Sequence, residues 1–314
     1  MTAPGPHPAE PLTLAAARQR MLAWLAPLAT IEYVALRDAL GRILAADVIA
    51  KDTPVLAAGC RIQPADLGLL AAIGRVEVPV RRRLRVAVFS TGGELRPLGE
   101  PLGAGDVHDS NRYLLCALLR QFGADTLDLG VLRDEPHTLR EAFARAGAEA
   151  DVVITGGGVS IRSPAPVREL LQGVGDIGFW NIRIKPGRPL PFGRLAGGAV
   201  FFGLSSNPIP TSVAFHQVVR PALDRLAGAA PRTPLALMVR ASAPLDASHG
   251  LRHFLRGWLA RGDDGVLEVS RAAPGVRGVT RVMSGADCFI VLPEDSGPVA
   301  IGQPVRVEPF APWR

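Results

Sequence analysis

Lysine is almost missing from this chain. Thirty-five basic residues outweigh 29 acidic ones, and all of them except Lys51 and Lys185 are arginine. Cysteine is as scarce: Cys60, Cys116 and Cys288 are odd in number and far apart. That excludes a disulfide framework and paired zinc-ligand spacing, and leaves three small buried hydrophobes. Aromatic residues make up only 5% of the chain, and none interleave with the one basic run, Arg81-Arg82-Arg83. The run therefore reads as a solvated linker ahead of a strand, not as a nucleic-acid surface. No apolar run reaches the length needed to span a bilayer. Residues 1–11 are Pro-rich and polar, without a basic region followed by an apolar one, so a signal peptide is not expected and a cytoplasmic protein is. His108, His137 and His216 fall in unrelated segments and form no metal cluster, and no tandem repeat is visible.

What is present is an ordinary globular composition, 48% hydrophobic and 20% charged over 314 residues, enough for two or three cored domains. The spacing predicts helices over 12–25, 36–46 and 64–74, with extended, turn-rich chain over 47–63. From 84 to about 226 strand and helix alternate, the pattern of a mainly parallel sheet covered on both faces. Strands are expected at 84–90, 126–132, 151–155, 178–184 and 199–204. Helices are expected at 112–122, 136–146, 167–171 and 209–226, with Asp109 and Asp134 as N-caps and Gly123 as a C-terminal stop. Beyond Gly228 short strand-like pieces at 235–241, 253–260, 266–271, 288–292 and 304–308 predict a small barrel-like β-domain. The organisation is thus an N-terminal helical and linker segment (1–83), an α/β domain (84–229) and a C-terminal β-domain (230–314).

Two strands end in glycine. Asp151-Val-Val-Ile-Thr155 opens into Gly156-Gly157-Gly158-Val159-Ser160, and Arg85-Val-Ala-Val-Phe-Ser90 opens into Thr91-Gly92-Gly93-Glu94. Glycines at such ends leave no Cβ between main-chain N–H groups and a phosphate or a flat ring, which describes a crevice at the strand ends of an α/β sheet. Glu94 is either a ligand for a hard cation or a solvated loop carboxylate. Asp109 is explained as a helix cap and can also face the crevice. Lys185, in Lys185-Pro-Gly-Arg-Pro189, is either a point cation for an anion or a surface turn; Arg162 and Arg188 either hold phosphate or are simply exposed. Asn207 reads first as a loop holder through side-chain-to-backbone bonds.

In this order and spacing, Ser90-Thr-Gly-Gly-Glu-Leu95, Asp109-Ser-Asn-Arg-Tyr113, Asp151–Ser160, Ile184-Lys-Pro-Gly-Arg-Pro189 and Asn207-Pro208 resemble the molybdopterin molybdenumtransferase family, related to the gephyrin E domain. Arg252-His-Phe-Leu-Arg-Gly257 and Phe289-Ile-Val-Leu-Pro-Glu294 agree with it. The resemblance covers nearly the whole chain from Leu12 onward. It implies a three-layer α/β molybdopterin-binding domain, a homodimer that meets other molybdenum-cofactor biosynthesis proteins, and Mg²⁺-dependent insertion of molybdate into adenylylated molybdopterin. Glu94 would hold Mg²⁺ and Lys185 would steady the oxyanion. Ligand contacts would come from Thr91 and Gly92, from Asp109 and Ser110, and from Thr155, Gly156, Gly157, Gly158 and Ser160. Pro186, Gly187, Arg188 and Asn207 would complete them.

This sequence departs from the family in several places. Lys51-Asp-Thr-Pro54 runs almost directly into Leu56-Ala-Ala-Gly59, so the domain inserted there in the family is missing, along with its acidic motif. The family's second loop carboxylate is Gly93, another aspartate is Ala165, and a lysine is Asn181. The family's Pro-Gly-Asn-Pro is Ser205-Ser-Asn-Pro208. Those losses make ligand binding without turnover the alternative expectation.

Overall fold

The computed structural model describes residues 10–133, 135–157, 170–171, 173–272 and 285–310. Helix α1 (Leu14–Trp24) starts where the Thr13 hydroxyl accepts the Ala16 N–H at 3.2 Å, and it buries the stripe Leu14, Ala17, Met21 and Trp24. Strand β1 (Ile31–Ala35) follows. The helix expected over 36–46 does not form. Only a 3-10 turn at Leu36–Asp38 appears, because Gly41 takes φ +74° and the chain then bonds sideways. Ile62 N–H donates to Arg42 O and Leu44 N–H to Cys60 O, both at 2.9 Å. Apolar residues that read at helical spacing are thus buried from an extended chain. A hairpin of β2 (Val48–Ala50) and β3 (Thr53–Leu56) precedes helix α2 (Pro64–Ala72), whose Asp66 carboxylate reaches back to the Gln63 N–H at 2.8 Å. Strand β4 (Glu77–Arg81) then pairs antiparallel with β1. The arginine run that follows is no solvated linker: Arg82 grips Asp151 with both terminal nitrogens, at 2.6 and 2.8 Å, and so fastens the segment to the central sheet.

That sheet is assembled from β5 (Arg85–Thr91), β8 (Asp125–Leu132), β9 (Val152–Gly156), β10 (Gly175–Asn181), β12 (Pro189–Leu195) and β13 (Val200–Leu204), in the spatial order β10-β12-β13-β9-β5-β8. Strands β13, β9, β5 and β8 run parallel, whereas β12 and β10 form an antiparallel hairpin on one edge. Between these lie two short strands, β6 (Leu95–Arg96) and β7 (Val107–His108), then helix α3 (Ser110–Phe122), helix α4 (Pro136–Glu149) and the two-residue β11 (Ile184–Lys185). Alternation decides the layers. Val86, Val88, Val152, Ile154, Val200 and Phe202 face one way, toward α1, α3 and the last helices; Ala87, Phe89, Val153 and Phe201 face the other, toward Leu139 and Phe143 of α4. Gly123 ends α3 at φ +94°. Glu135 precedes α4 without a side-chain cap bond; Asp134, expected in that role, and most of the helix expected over 167–171 lie outside the described residues.

Past β13, helix α5 (Pro208–Ala214) and helix α6 (Arg220–Leu226) are joined by a π-helical turn, Phe215–Val219. The turn carries the joint with the C-terminal domain. His216 stacks on Phe310 and meets Phe289 edge-on, and Gln217 donates to Glu308 at 3.0 Å while its carbonyl accepts from Arg18 of α1. Burial, with Arg220 nearby, holds the His216 imidazole down at about 4. The unfolded ring takes its proton near 6.5, so His216 contributes stability that is complete above that pH and fades as the pH falls toward 4. The loss approaches roughly 3 kcal/mol. Urea titrations at pH 7, 5 and 4 should show that increment in the native chain and lose it in His216→Phe; equal acid sensitivity of both would refute the assignment.

The C-terminal domain is a closed five-stranded barrel. Strands β14 (Leu237–Ala241), β15 (Arg252–Arg261), β16 (Leu267–Arg271), β17 (Cys288–Leu292) and β18 (Pro304–Pro309) close in the order β15-β16-β14-β18-β17 and back to β15. Val239, Val269, Ile290, Val305 and Val307 fill it. Strand β11 adds itself in parallel to β15, so the segment expected as one strand over 178–184 is divided between sheet and barrel. Burial pushes the thiols of Cys116 and Cys288 up to about 11 and 12, which suits inert packing.

Candidate functional site

Three neighbouring parallel strands, β5, β9 and β13, deliver their carboxyl ends side by side. At the middle one the backbone is bare for a steric reason. A Cβ on Gly156 would lie 2.8 Å from Asn111 Nδ2 and 3.2 Å from Ser90 Oγ. Gly157 sits at φ +97°, where a Cβ would collide with the Thr91 carbonyl oxygen and come within 3.3 Å of Ser206 Cβ. Its N–H donates to Leu204 O at 3.0 Å. Thr91, Gly156, Gly157 and the Ser205–Asn207 loop are therefore one contiguous rim. Gly158 and Ser160, with Arg162 and Ala165, lie outside the described residues.

Beneath the rim runs a buried ionic network. Asp109, 1% exposed, caps α3 by accepting the Arg112 N–H at 3.2 Å and accepts Ser90 Oγ at 3.0 Å. Its second oxygen takes Arg112 Nε at 2.8 Å, and the same guanidinium reaches Asp128 on β8. Burial lowers the Arg112 pKa, but the bonds to Asp109 and Asp128 outweigh it and leave the pKa raised. The carboxylate of Asp109 is thus spent on holding Ser90 and the start of α3 in place. Ser110 begins that helix on the exposed side. Asn111, 4% exposed, donates to Ser205 O at 2.8 Å, while its Oδ1 and the Thr155 hydroxyl have no partner among the described residues.

Two further pieces border the rim. The β5 loop carries Glu94, exposed, with its carboxylate folded back toward Gly92; Arg96 ties the loop by donating to Gly93 O at 2.8 Å and pairing with Asp106. On the other side Asn207 Oδ1 accepts the Ile209 N–H at 3.0 Å and starts α5, as its loop-holding reading predicts. The Pro186-Gly187-Arg188 turn packs on that same first helical turn: Gly187, at φ +103°, faces the Pro210 carbonyl. Lys185 is exposed at the base of this turn and is positioned by the barrel strand, not by the mouth. Among the described residues no three His, Cys, Asp or Glu side chains converge on one point. Glu94 alone does not make a chain-built magnesium site. It fits a magnesium ion only as one ligand beside oxygens that the substrate and water bring. Ser90, Asn111, Arg112 and Asp128 were not singled out in the sequence as site residues; the Asp109-Ser-Asn-Arg run held the available signal.

A mainly parallel sheet with glycines at its strand ends, joined to a closed five-stranded barrel along β11, defines an α/β protein with a crevice at the carboxyl ends of its parallel strands. Residues 87–225 match the probable molybdopterin binding domain, and residues 238–310 match the MoeA C-terminal region (domain IV). The chain is 36% identical over 263 residues to the molybdopterin molybdenumtransferase of Haemophilus influenzae, covering 83% of this chain and 65% of that one. It is 35% identical over 224 residues to the molybdopterin molybdenumtransferase of a Nostoc species, covering 70% and 51%. Among solved structures, a molybdenum cofactor biosynthesis protein from Pyrococcus furiosus superposes with a TM-score of 0.73 at 25% identity, covering 96% of this chain and all of that one. A molybdopterin biosynthesis MoeA protein from Pyrococcus horikoshii shares the fold, with a TM-score of 0.80 at 21% identity, covering 97% of this chain and all of that one. The chain belongs to the molybdopterin molybdenumtransferase family, in a divergent form, and spans 51–65% of the length of these curated relatives.

Proposed function

We propose that this protein acts in molybdenum cofactor biosynthesis by binding molybdopterin, or its adenylylated form, across the Thr91, Gly156–Gly157 and Asn207 rim. The observation that carries this reading is the bare backbone at Gly156 and Gly157, where any side chain would strike Asn111, Ser90 or Thr91. Such a floor suits a flat pterin and an anionic phosphate, and Asn111 Oδ1 and the Thr155 hydroxyl, which have no partner among the described residues, lie beside it. Lys185, which makes no ion pair among the described residues, offers a cation for phosphate or molybdate, and Glu94 one oxygen ligand for Mg²⁺. Magnesium, when bound there, would neutralise phosphate charge; binding and orientation remain the work of the chain. The same proposal includes a cytoplasmic homodimer that exchanges its pterin with other proteins of the pathway. Among the described residues no helix is long and apolar enough to cross a membrane.

A second reading, a carrier that holds the pterin with little turnover, is favoured by the single carboxylate of the β5 loop. Losing one group that stabilises developing charge costs about 10²–10³ in rate. Gly93 has open space around its Cβ position and no positive φ, so Gly93→Asp can be built without strain. Incubation with adenylylated molybdopterin, molybdate and Mg²⁺, following bound pterin and released nucleotide together, separates the two readings. We expect pterin bound by both proteins, slow nucleotide release by the native chain, and release at least about tenfold faster in Gly93→Asp. No pterin bound by either protein would refute the proposal; bound pterin without release in either would establish the carrier.

A further inference from the structure

The barrel brings a histidine to the lysine turn. In the parallel pairing of β11 with β15, Lys185 stands opposite His253 and Ile184 opposite Arg252. Lys185 is exposed, whereas His253 is 3% exposed. The ring is anchored: the Ser248 N–H donates to His253 Nε2 at 3.1 Å, and Ser248 Oγ lies 2.9 Å from the same nitrogen. A backbone donor aimed at Nε2 requires a lone pair there, which assigns the ring's single proton to Nδ1 and makes the imidazole neutral. Burial, then the charges of Lys185 and Arg271, hold its pKa below the ordinary histidine value. The carboxylate in the turn just after β17 is already committed, since Glu294 Oε2 accepts Arg252 Nε and Nη2 at 3.1 and 3.0 Å. Among the described residues Lys185 makes no ion pair of its own.

We propose that His253, tied to Ser248, is a positioning residue for Lys185: it keeps a neutral ring, not a carboxylate, at the position paired with Lys185 in the strand register, so that the lysine charge stays available to a tetrahedral oxyanion. The inference rests on the anion-binding role given to Lys185 above. A carboxylate in the same place would pair with Lys185 and compete with the anion; an amide would not.

The chain's two lysines make the test direct. Reductive ¹³C-methylation of the whole chain preserves both lysine charges and yields two sets of lysine methyl resonances beside that of the α-amine, with Lys51 as internal control. Inorganic phosphate and molybdate are titrated separately, the Lys185 resonance reports binding, and thermal melting confirms folding. His253→Gln should bind within about threefold of the native chain, and His253→Asp about tenfold more weakly. Native affinity in a folded His253→Asp, or a tenfold loss in His253→Gln, overturns the inference; the second result decides even where the buried aspartate prevents folding. Lys185→Ala separates the two levels. If it binds either anion as well as the native chain, the role of Lys185 fails and the inference with it. If it binds weakly while His253→Asp does not, only the part given to His253 fails.

Discussion

Replacing Arg112 by methionine should cost the protein about 3–5 kcal/mol of folding stability, the range for removing one partner of a buried ion pair. The reason is what stays behind. Asp109 is 1% exposed and Arg112 7%, so the carboxylate left in Arg112→Met would be a buried charge keeping only the Ser90 hydroxyl and its own helix N–H. Methionine preserves most of the stem's packing, which isolates the charge term. Urea denaturation at pH 7 measures the loss, and the double variant Arg112→Met, Asp109→Asn should recover at least half of it, because an amide tolerates the cavity that a carboxylate does not. A loss below about 1 kcal/mol in the single variant would mean that water reaches Asp109 and that the network does not hold the rim.

Much of this architecture is legible in the sequence, because it is written in local periodicity. Val86 and Val88 alternate with Ala87 and Phe89, and Val152 and Ile154 with Val153, and both strands sort as that alternation requires. The Thr155-Gly-Gly run announces a bare loop, and residues 64–74 announce helix α2 by a proline at the start and a glycine just beyond the end. What escapes is set by distant partners. Strand β12 begins at Pro189, which reads as the end of the Lys185–Pro189 turn; it is a strand because β10 and β13 flank it, and no local signal states that. The segment around Ile43 shows helical spacing but is claimed by backbone bonds from Cys60 and Ile62, across a break that Gly41 permits. Ser90, Asp109, Arg112 and Asp128 come from three separate elements, so their junction appears only when β5, α3 and β8 are in register. Motif spacing finds the residues that border a ligand more readily than the residues that hold the border still.

Gly157→Ala should weaken molybdopterin binding by at least about thirtyfold, or roughly 2 kcal/mol, more than any conservative change of a side chain on the rim. Two separate costs meet at this position. A Cβ at φ +97° carries a backbone penalty of about 1–3 kcal/mol, and here the methyl group would also strike the Thr91 carbonyl oxygen. Relief requires β5 and β9 to move apart at their carboxyl ends, which widens the floor on which the ligand rests. Gly198→Ala separates the two costs: it has φ +94°, in the turn between β12 and β13, with nothing within 4 Å of its Cβ position. Both variants should lose comparable stability from backbone strain. Only Gly157→Ala should lose the ligand, as read by equilibrium binding of molybdopterin beside thermal melting. Equal affinities in the two variants would show that the aperture between Thr91 and Gly157 is not where the pterin sits. A selective loss would tie binding to the shape of the main chain, in a site whose one loop carboxylate and one lysine supply little of the recognition by themselves.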